Sequence, residues 1–166
     1  MYQYIPVAEA RREAEAALAA AERLQPGLAL VHVLWAQLKL YMRPDWPTAD
    51  VHLARALALD PNDALAHAYT AFHAGMLGDR ATSAAAAARA VAADPLSMFV
   101  RAVSVMGFPR TGTPECDSAA ALRAHEVALA MDPNAVIHLW QSAIRLSEFG
   151  RFDEALERSR RAVELT

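Results

Sequence analysis

A single cysteine, Cys116, excludes an internal disulfide framework from this chain of 166 residues. No apolar run reaches the roughly 18–20 residues that a membrane span needs, and no basic segment followed by an apolar one opens the chain as a secretory leader would. Neither sign of charge dominates. The net charge is −3 and the isoelectric point is near 6.0, which argues against nucleic acid as a partner. Lys39 is the one lysine; every other fixed cation is arginine. No glycine-rich phosphate loop of the P-loop or dinucleotide kind is present. These absences predict a cytoplasmic protein with no cofactor, no nucleic-acid partner and no membrane partner.

What the chain has in abundance is alanine, the best helix former and the side chain that lets helices approach most closely. Proline punctuates it at near-regular intervals. Leu59-Asp60-Pro61-Asn62-Asp63 reads as the end of one helix, a stop, and the cap of the next, since proline has no N–H to continue a helix and Asn or Asp can cap one. Ala93-Asp94-Pro95 and Met131-Asp132-Pro133 repeat the phrase, and Leu24-Gln25-Pro26 is a weaker copy. The intervals between these prolines are 35, 34 and 38 residues. A helix–turn–helix pattern with a period near 34 marks a repeat array.

The expected helices cover 8–24, 28–41, 47–59, 63–76, 80–92, 96–107, 117–131, 134–149 and 152–165. The first is a second helix lacking its first, so the units are a half-repeat at 8–26 and repeats at 28–61, 62–95, 96–133 and 134–166. Gly78 and Gly150 stand at two inter-helix turns, where glycine can take a positive φ. In the third repeat Phe108-Pro109-Arg110-Thr111-Gly112-Thr113-Pro114-Glu115 interrupts the pattern, and the four extra residues of that repeat belong to this loop. The proline that would end the fourth repeat falls just past Thr166, which reads as a domain taken from a longer protein.

On these residues the chain resembles the tetratricopeptide (TPR) repeat family. The last repeat carries Leu139, Ala143, Leu146, Gly150, Phe152, Ala155 and Ala162, and the first full one Val33, Leu40, Trp46, Ala49, Leu53, Ala56 and Pro61. The second departs at His67 and Ala74, where the family prefers larger apolar residues, and the third in its inter-helix turn. Pro44-Asp45-Trp46-Pro47 and Asp94-Pro95-Leu96-Ser97 are also similar to TPR regions attached to bacterial regulators, cyclases and Ser/Thr kinases. The resemblance implies an all-α fold, a right-handed α-solenoid of antiparallel helix pairs. It also implies a non-catalytic scaffold in which the first helix of each pair lines a concave groove. The residues expected in that groove are Leu34, Leu38, Tyr41, Leu65, Phe72, Phe99, Met106, Ile137, Trp140 and Ile144, with Val31, Ala68, Gly75, Ala102 and Ser147 at further groove positions. The lining is apolar and lacks the Lys, Arg and Asn of TPR domains that clamp a carboxylate. Two readings stay open. Either the groove takes a protein or peptide with apolar anchors, led by Trp140, or the array winds tightly and these residues are core.

Candidate chemistry is sparse. The alternative to a scaffold is an enzyme using Cys116 as nucleophile and His125 as base, which would also need a third, orienting group. His32 and His67 fall at matching places in neighbouring repeats, but zinc wants three or four ligands and no Cys or carboxylate shares that offset, so no metal is expected. His52 and His138 have no spaced partner. Arg158, Arg160 and Arg161 alternate with Glu154, Glu157 and Glu164 and read as a solvated helix face. Trp46 and Phe152 are expected to pack between helices. Leu156, Val163 and Leu165 on the last helix, and Tyr2, Tyr4 and Ile5 ahead of the first, leave both ends apolar. A homodimer through the last helix, the groove or both is the expected assembly.

Overall fold

The computed structural model describes residues 6–41, 44–106 and 114–166, with the side chains of 105, 106 and 114–118 outside that description. Among the described residues the elements are α1 (Val7–Leu24), α2 (Ala29–Tyr41), α3 (Trp46–Leu59), α4 (Ala64–Met76), α5 (Arg80–Ala93), α6 (Met98–Met106), α7 (Pro114–Met131), α8 (Val136–Glu148) and α9 (Phe152–Glu164). No strand occurs among them. The pairs α2/α3, α4/α5 and α8/α9 are the most extensively packed. The first helices also form a row, in which α2 touches α4, α4 touches α6 and α6 touches α8. This is the α-solenoid of antiparallel helix pairs that the repeat pattern implies.

The Asp-Pro phrases work as joints for a stated reason. The backbone N–H of Asp60, Asp94 and Asp132 closes the last turn of the preceding helix onto Ala56, Ala90 and Ala128. The same aspartates then turn their carboxylates forward over the proline. Asp60 accepts from Asn62 N–H at 2.9 Å, Asp94 from Ser97 N–H at 3.0 Å and Asp132 from Asn134 N–H at 2.9 Å. Each joint thereby satisfies backbone groups that a helix end would leave bare. Asp45, Asp63 and Asp79 cap α3, α4 and α5 by accepting from the N–H groups of Thr48, Ala66 and Thr82. Gly78 and Gly150 take φ of 82° and 72°. The following residues, Asp79 and Arg151, donate back to Ala74 and Leu146, the bond pattern that ends a helix on a left-handed residue.

Several boundaries move from the expected ones. α7 begins at Pro114, not 117, because a proline in the first turn lacks only an N–H that would have no partner there. Cys116 is therefore helical, and the interruption falls on 107–113, outside the described residues, as do Tyr2, Tyr4 and Ile5. Trp46 opens α3, with Pro47 in its first turn, and its ring meets His73 edge-on at 5.9 Å. Phe152 does not pack between helices among the described residues; it is 68% exposed.

The core has two parts. The larger joins α2, α3, α4, α5 and α6 around Val33, Leu53, Tyr69, Phe72 and Val103. The smaller joins α7, α8 and α9 around Leu122, Leu146 and Ala155. Ala56, Ala90, Ala128 and Ala162 occupy the matching small-residue position of each second helix and all are buried. We expect Ala90→Leu to overpack its helix crossing and to destabilise the fold by about 1–3 kcal/mol, read as a lowered melting temperature. A neutral melt would mean that the crossing at Ala90 has room to spare.

Candidate functional site

The row α2, α4, α6, α8 presents the residues expected to line a groove, and the structure divides them. Trp140, Phe99, Tyr41, Ile144 and Leu34 are exposed, Trp140 the most at 59%. Leu65 and Ile137 are half-buried. Leu38 and Phe72 are buried, as are Val31, Ala68, Gly75 and Ala102. Tyr41 links two repeats by stacking on Phe72 at 5.3 Å and meeting Tyr69 edge-on at 6.3 Å. Burial raises the ionisation of both tyrosines above its ordinary value, so both stay neutral phenols. The side chain of Met106 lies outside the described residues. The open apolar surface therefore has two parts, one at Leu34 and Tyr41 and one at Phe99, Trp140 and Ile144, with the close-packed second repeat between them.

The cations along this row are engaged. Lys39 pairs with Glu15 at 3.8 Å and lies 5.5 Å over the ring of Trp35. Arg101 donates twice to the carbonyl of Pro95, at 3.1 and 2.7 Å. Arg145 is buried and donates to Glu148. A carboxylate clamp has no free cation to draw on among these three.

The histidines are where sequence reading fell short. His32 and His67 do not meet. The Nδ1 of His32 instead faces that of His52 at 3.2 Å, and Trp35 stacks on His52 while donating to Glu22 at 3.2 Å. Burial first, and His32 second, push the His52 imidazole below its ordinary value. His67 reaches the carbonyl of Pro61 at 2.9 Å, and His73 Nδ1 lies 2.7 Å from the Asp50 carboxylate. No group of three or more His, Cys, Asp or Glu fit to hold a metal occurs among the described residues.

His125 and His138, both fully buried, form the second pair, with their Nδ1 atoms 2.9 Å apart. The proton positions follow from one anchor. The carbonyl of Met98 can only accept, so His138 Nε2–H donates to it at 2.9 Å. A neutral His138 then has a bare Nδ1, which accepts from His125 Nδ1–H. His125 Nε2 is left as a buried lone pair with no hydrogen-bond partner. Burial, then His138, Arg145 and Arg158, push the His125 imidazole down to about 3. Burial lowers His138 as well. His125 is thus committed to another histidine, and the side chain of Cys116 lies outside the described residues, so no nucleophile–base pair is described here. Neither His–His contact has a sequence signal, because each bridges two helices 13 or 20 residues apart.

With this geometry in hand the chain can be set beside known proteins. No family model matches it, and no curated protein does. Solved structures do. A crystal structure of MamA superposes with a TM-score of 0.61 at 15% identity, over 98% of this chain and 96% of that one. The chain shares the fold of MamA. A second MamA crystal structure gives a TM-score of 0.59 at 16% identity over 96% and 82%, and a MamA AMB-1 structure gives 0.56 at 16% over 93% and 88%. The match to MamA runs the length of the solenoid. No described helix is long and apolar enough to cross a membrane.

The His125 shift has a definite sign. A folded-state value of about 3 against an ordinary 6.5 means that protons bind the unfolded chain first, so stability present above pH 6.5 is lost as pH falls toward 3. At pH 5 this group alone should remove about 2 kcal/mol relative to neutral pH. Urea unfolding at pH 7 and pH 5 checks this. His125→Asn should lower stability at pH 7 and flatten its dependence on pH.

Proposed function

We propose that the chain is a tetratricopeptide-type interaction module without catalytic activity. Its open first-helix surface holds an extended or helical segment of another protein through apolar anchors. The observation that carries this reading is Trp140, a large aromatic standing mostly in solvent beside Ile144 on the face that first helices share. A tryptophan left bare on a rigid helix loses little side-chain freedom on binding, and such residues dominate interface energies. The engaged state of Lys39, Arg101 and Arg145 favours an apolar anchor over a carboxylate. The parent protein would be a bacterial multidomain regulator or scaffold of the cytoplasm, as the family resemblance implies.

A second reading, self-association as a homodimer, rests on a different face. Phe152, Leu156 and Val163 are exposed on one side of α9. A two-fold pairing of α9 with its copy would cover them. Light scattering at tens of micromolar separates the two readings, since a monomer retains only the first.

The groove reading is tested with peptides selected from a random library on the purified protein. Trp140→Ala should weaken the selected peptides by tenfold or more, about 1.4 kcal/mol. Val51→Ala, on an exposed face of α3, should leave them unchanged. Equal effects from both substitutions would remove Trp140 from the site.

A further inference from the structure

The repeats contain their own comparison for one polar pocket in the middle of the array. It lies at the joint between α3 and α4, has a volume of about 610 Å³, and is lined by Pro61, Asn62 and His67 on one side and by Arg89, Ala92 and Ala93 of α5 on the other. A step of 72 residues carries Asn62 onto Asn134, His67 onto Leu139 and Arg89 onto Arg161. In that later repeat the polar pair is closed. Arg161 donates to the side-chain oxygen of Asn134 at 2.8 Å, and a buried Leu139 stands in place of the histidine. In the earlier repeat the same arginine and asparagine face an open pocket, and Arg89 has no hydrogen bond or ion pair among the described residues.

His67 is what makes the pocket more than a concave surface. The residue is 7% exposed and forms part of the lining. Its Nε2 lies 2.9 Å from the carbonyl of Pro61, which can only accept, so Nε2–H is the donor. The Nδ1 of the neutral ring is then a lone pair with no partner among the described residues. The pocket therefore offers a guanidinium with free donors and an acceptor that needs a proton brought to it. No carboxylate lines it. The nearby Asp60 and Asp63 accept from the backbone N–H groups of Asn62 and Ala66. A pocket on α9, by contrast, sets Arg160 and Arg161 among Asp153, Glu157 and Glu164.

We propose that the pocket between the α3–α4 joint and α5 binds the phosphoryl group of a phosphomonoester in its singly protonated form. Two phosphoryl oxygens accept from the Arg89 guanidinium, whose fork matches phosphate. The P–OH donates to His67 Nδ1, and the Asn62 side-chain amide donates to the remaining oxygen. The second ionisation of a phosphomonoester lies at about 6, so this proton is within reach near neutral pH. Sulfate and carboxylates carry no proton there. The site shares no residue with the surface around Trp140 and does not depend on it.

The probe is inorganic phosphate, titrated at pH 6.5 into the full chain and followed through the side-chain NMR signals of His67 and Arg89, with sulfate at equal ionic strength as the comparison. The expected result is saturable shifts of both signals, with phosphate bound at least tenfold more tightly than sulfate. Arg89→Gln, at an exposed position, should weaken phosphate at least tenfold. His67→Leu introduces the residue that the fourth repeat already carries, and should abolish the preference for phosphate over sulfate; circular-dichroism melts establish that both variants fold. Arg161→Gln should change nothing, since Arg161 is committed to Asn134. A phosphoserine peptide and glycerol phosphate identify the source. Tighter binding of the peptide assigns the site to a phosphorylated protein segment, and binding of glycerol phosphate at least as tight assigns it to small phosphomonoesters. Absence of saturable shifts, or equal affinity for phosphate and sulfate, overturns the proposal. Equal losses with Arg89→Gln and Arg161→Gln also overturn it, because the anion would then be answering to net charge and not to this pocket.

Discussion

A pair of helices cannot bury both of its apolar faces by itself, and everything in this molecule follows from that shortage. Each pair closes one face internally and leaves another for its neighbour, so the apolar surface is passed along the array. Alanine at Ala56, Ala90, Ala128 and Ala162 lets the axes come close enough for the transfer to be dry. Where the neighbour exists, as between α2 and α3/α4, residues such as Leu53 and Tyr69 vanish into the core. Where no described helix covers them, chemically similar residues such as Leu18, Leu34 and Phe152 stay in contact with water. Exposure here records position in the stack more than residue type.

The stack was legible in the sequence because its signals are local. Asp-Pro joints, capping aspartates and turn glycines act over two to six residues, and that range is where spacing alone carries information. The helix ends accordingly fall within about two residues of expectation, apart from the start of α7, where Pro114 opens a helix it was expected to exclude. The candidate site was less legible. Which of two apolar residues on a first helix is open depends on the neighbouring repeat. Leu38 and Phe72 are buried while Tyr41 and Trp140 are not, although all four were placed on the same face.

The histidine contacts were not legible at all. A buried imidazole pair needs two rings from different helices at one crossing and, for His138, a carbonyl from a third helix to fix its proton. That is a three-body arrangement, and no sequence interval announces it. Its chemistry is also self-contained. With both rings neutral and the chain of donors running His125 to His138 to Met98, the pair has one free lone pair and no mobile proton, which suits a structural joint better than acid–base work.

That joint sits at a particular place. Met98 opens the helix that belongs to the larger core, while His125 and His138 belong to the helices of the smaller one. The hydrogen-bonded rings therefore cross the seam between the two apolar clusters, where α6 also packs on α7 and α8. In a one-dimensional array, cooperativity is set by the weakest link between neighbouring units. A link made of neutral imidazoles holds only while they remain neutral. A folded-state value of about 3 keeps the His125 ring neutral through mild acid, so this link between the larger N-terminal block and the smaller C-terminal one persists until pH falls toward 3.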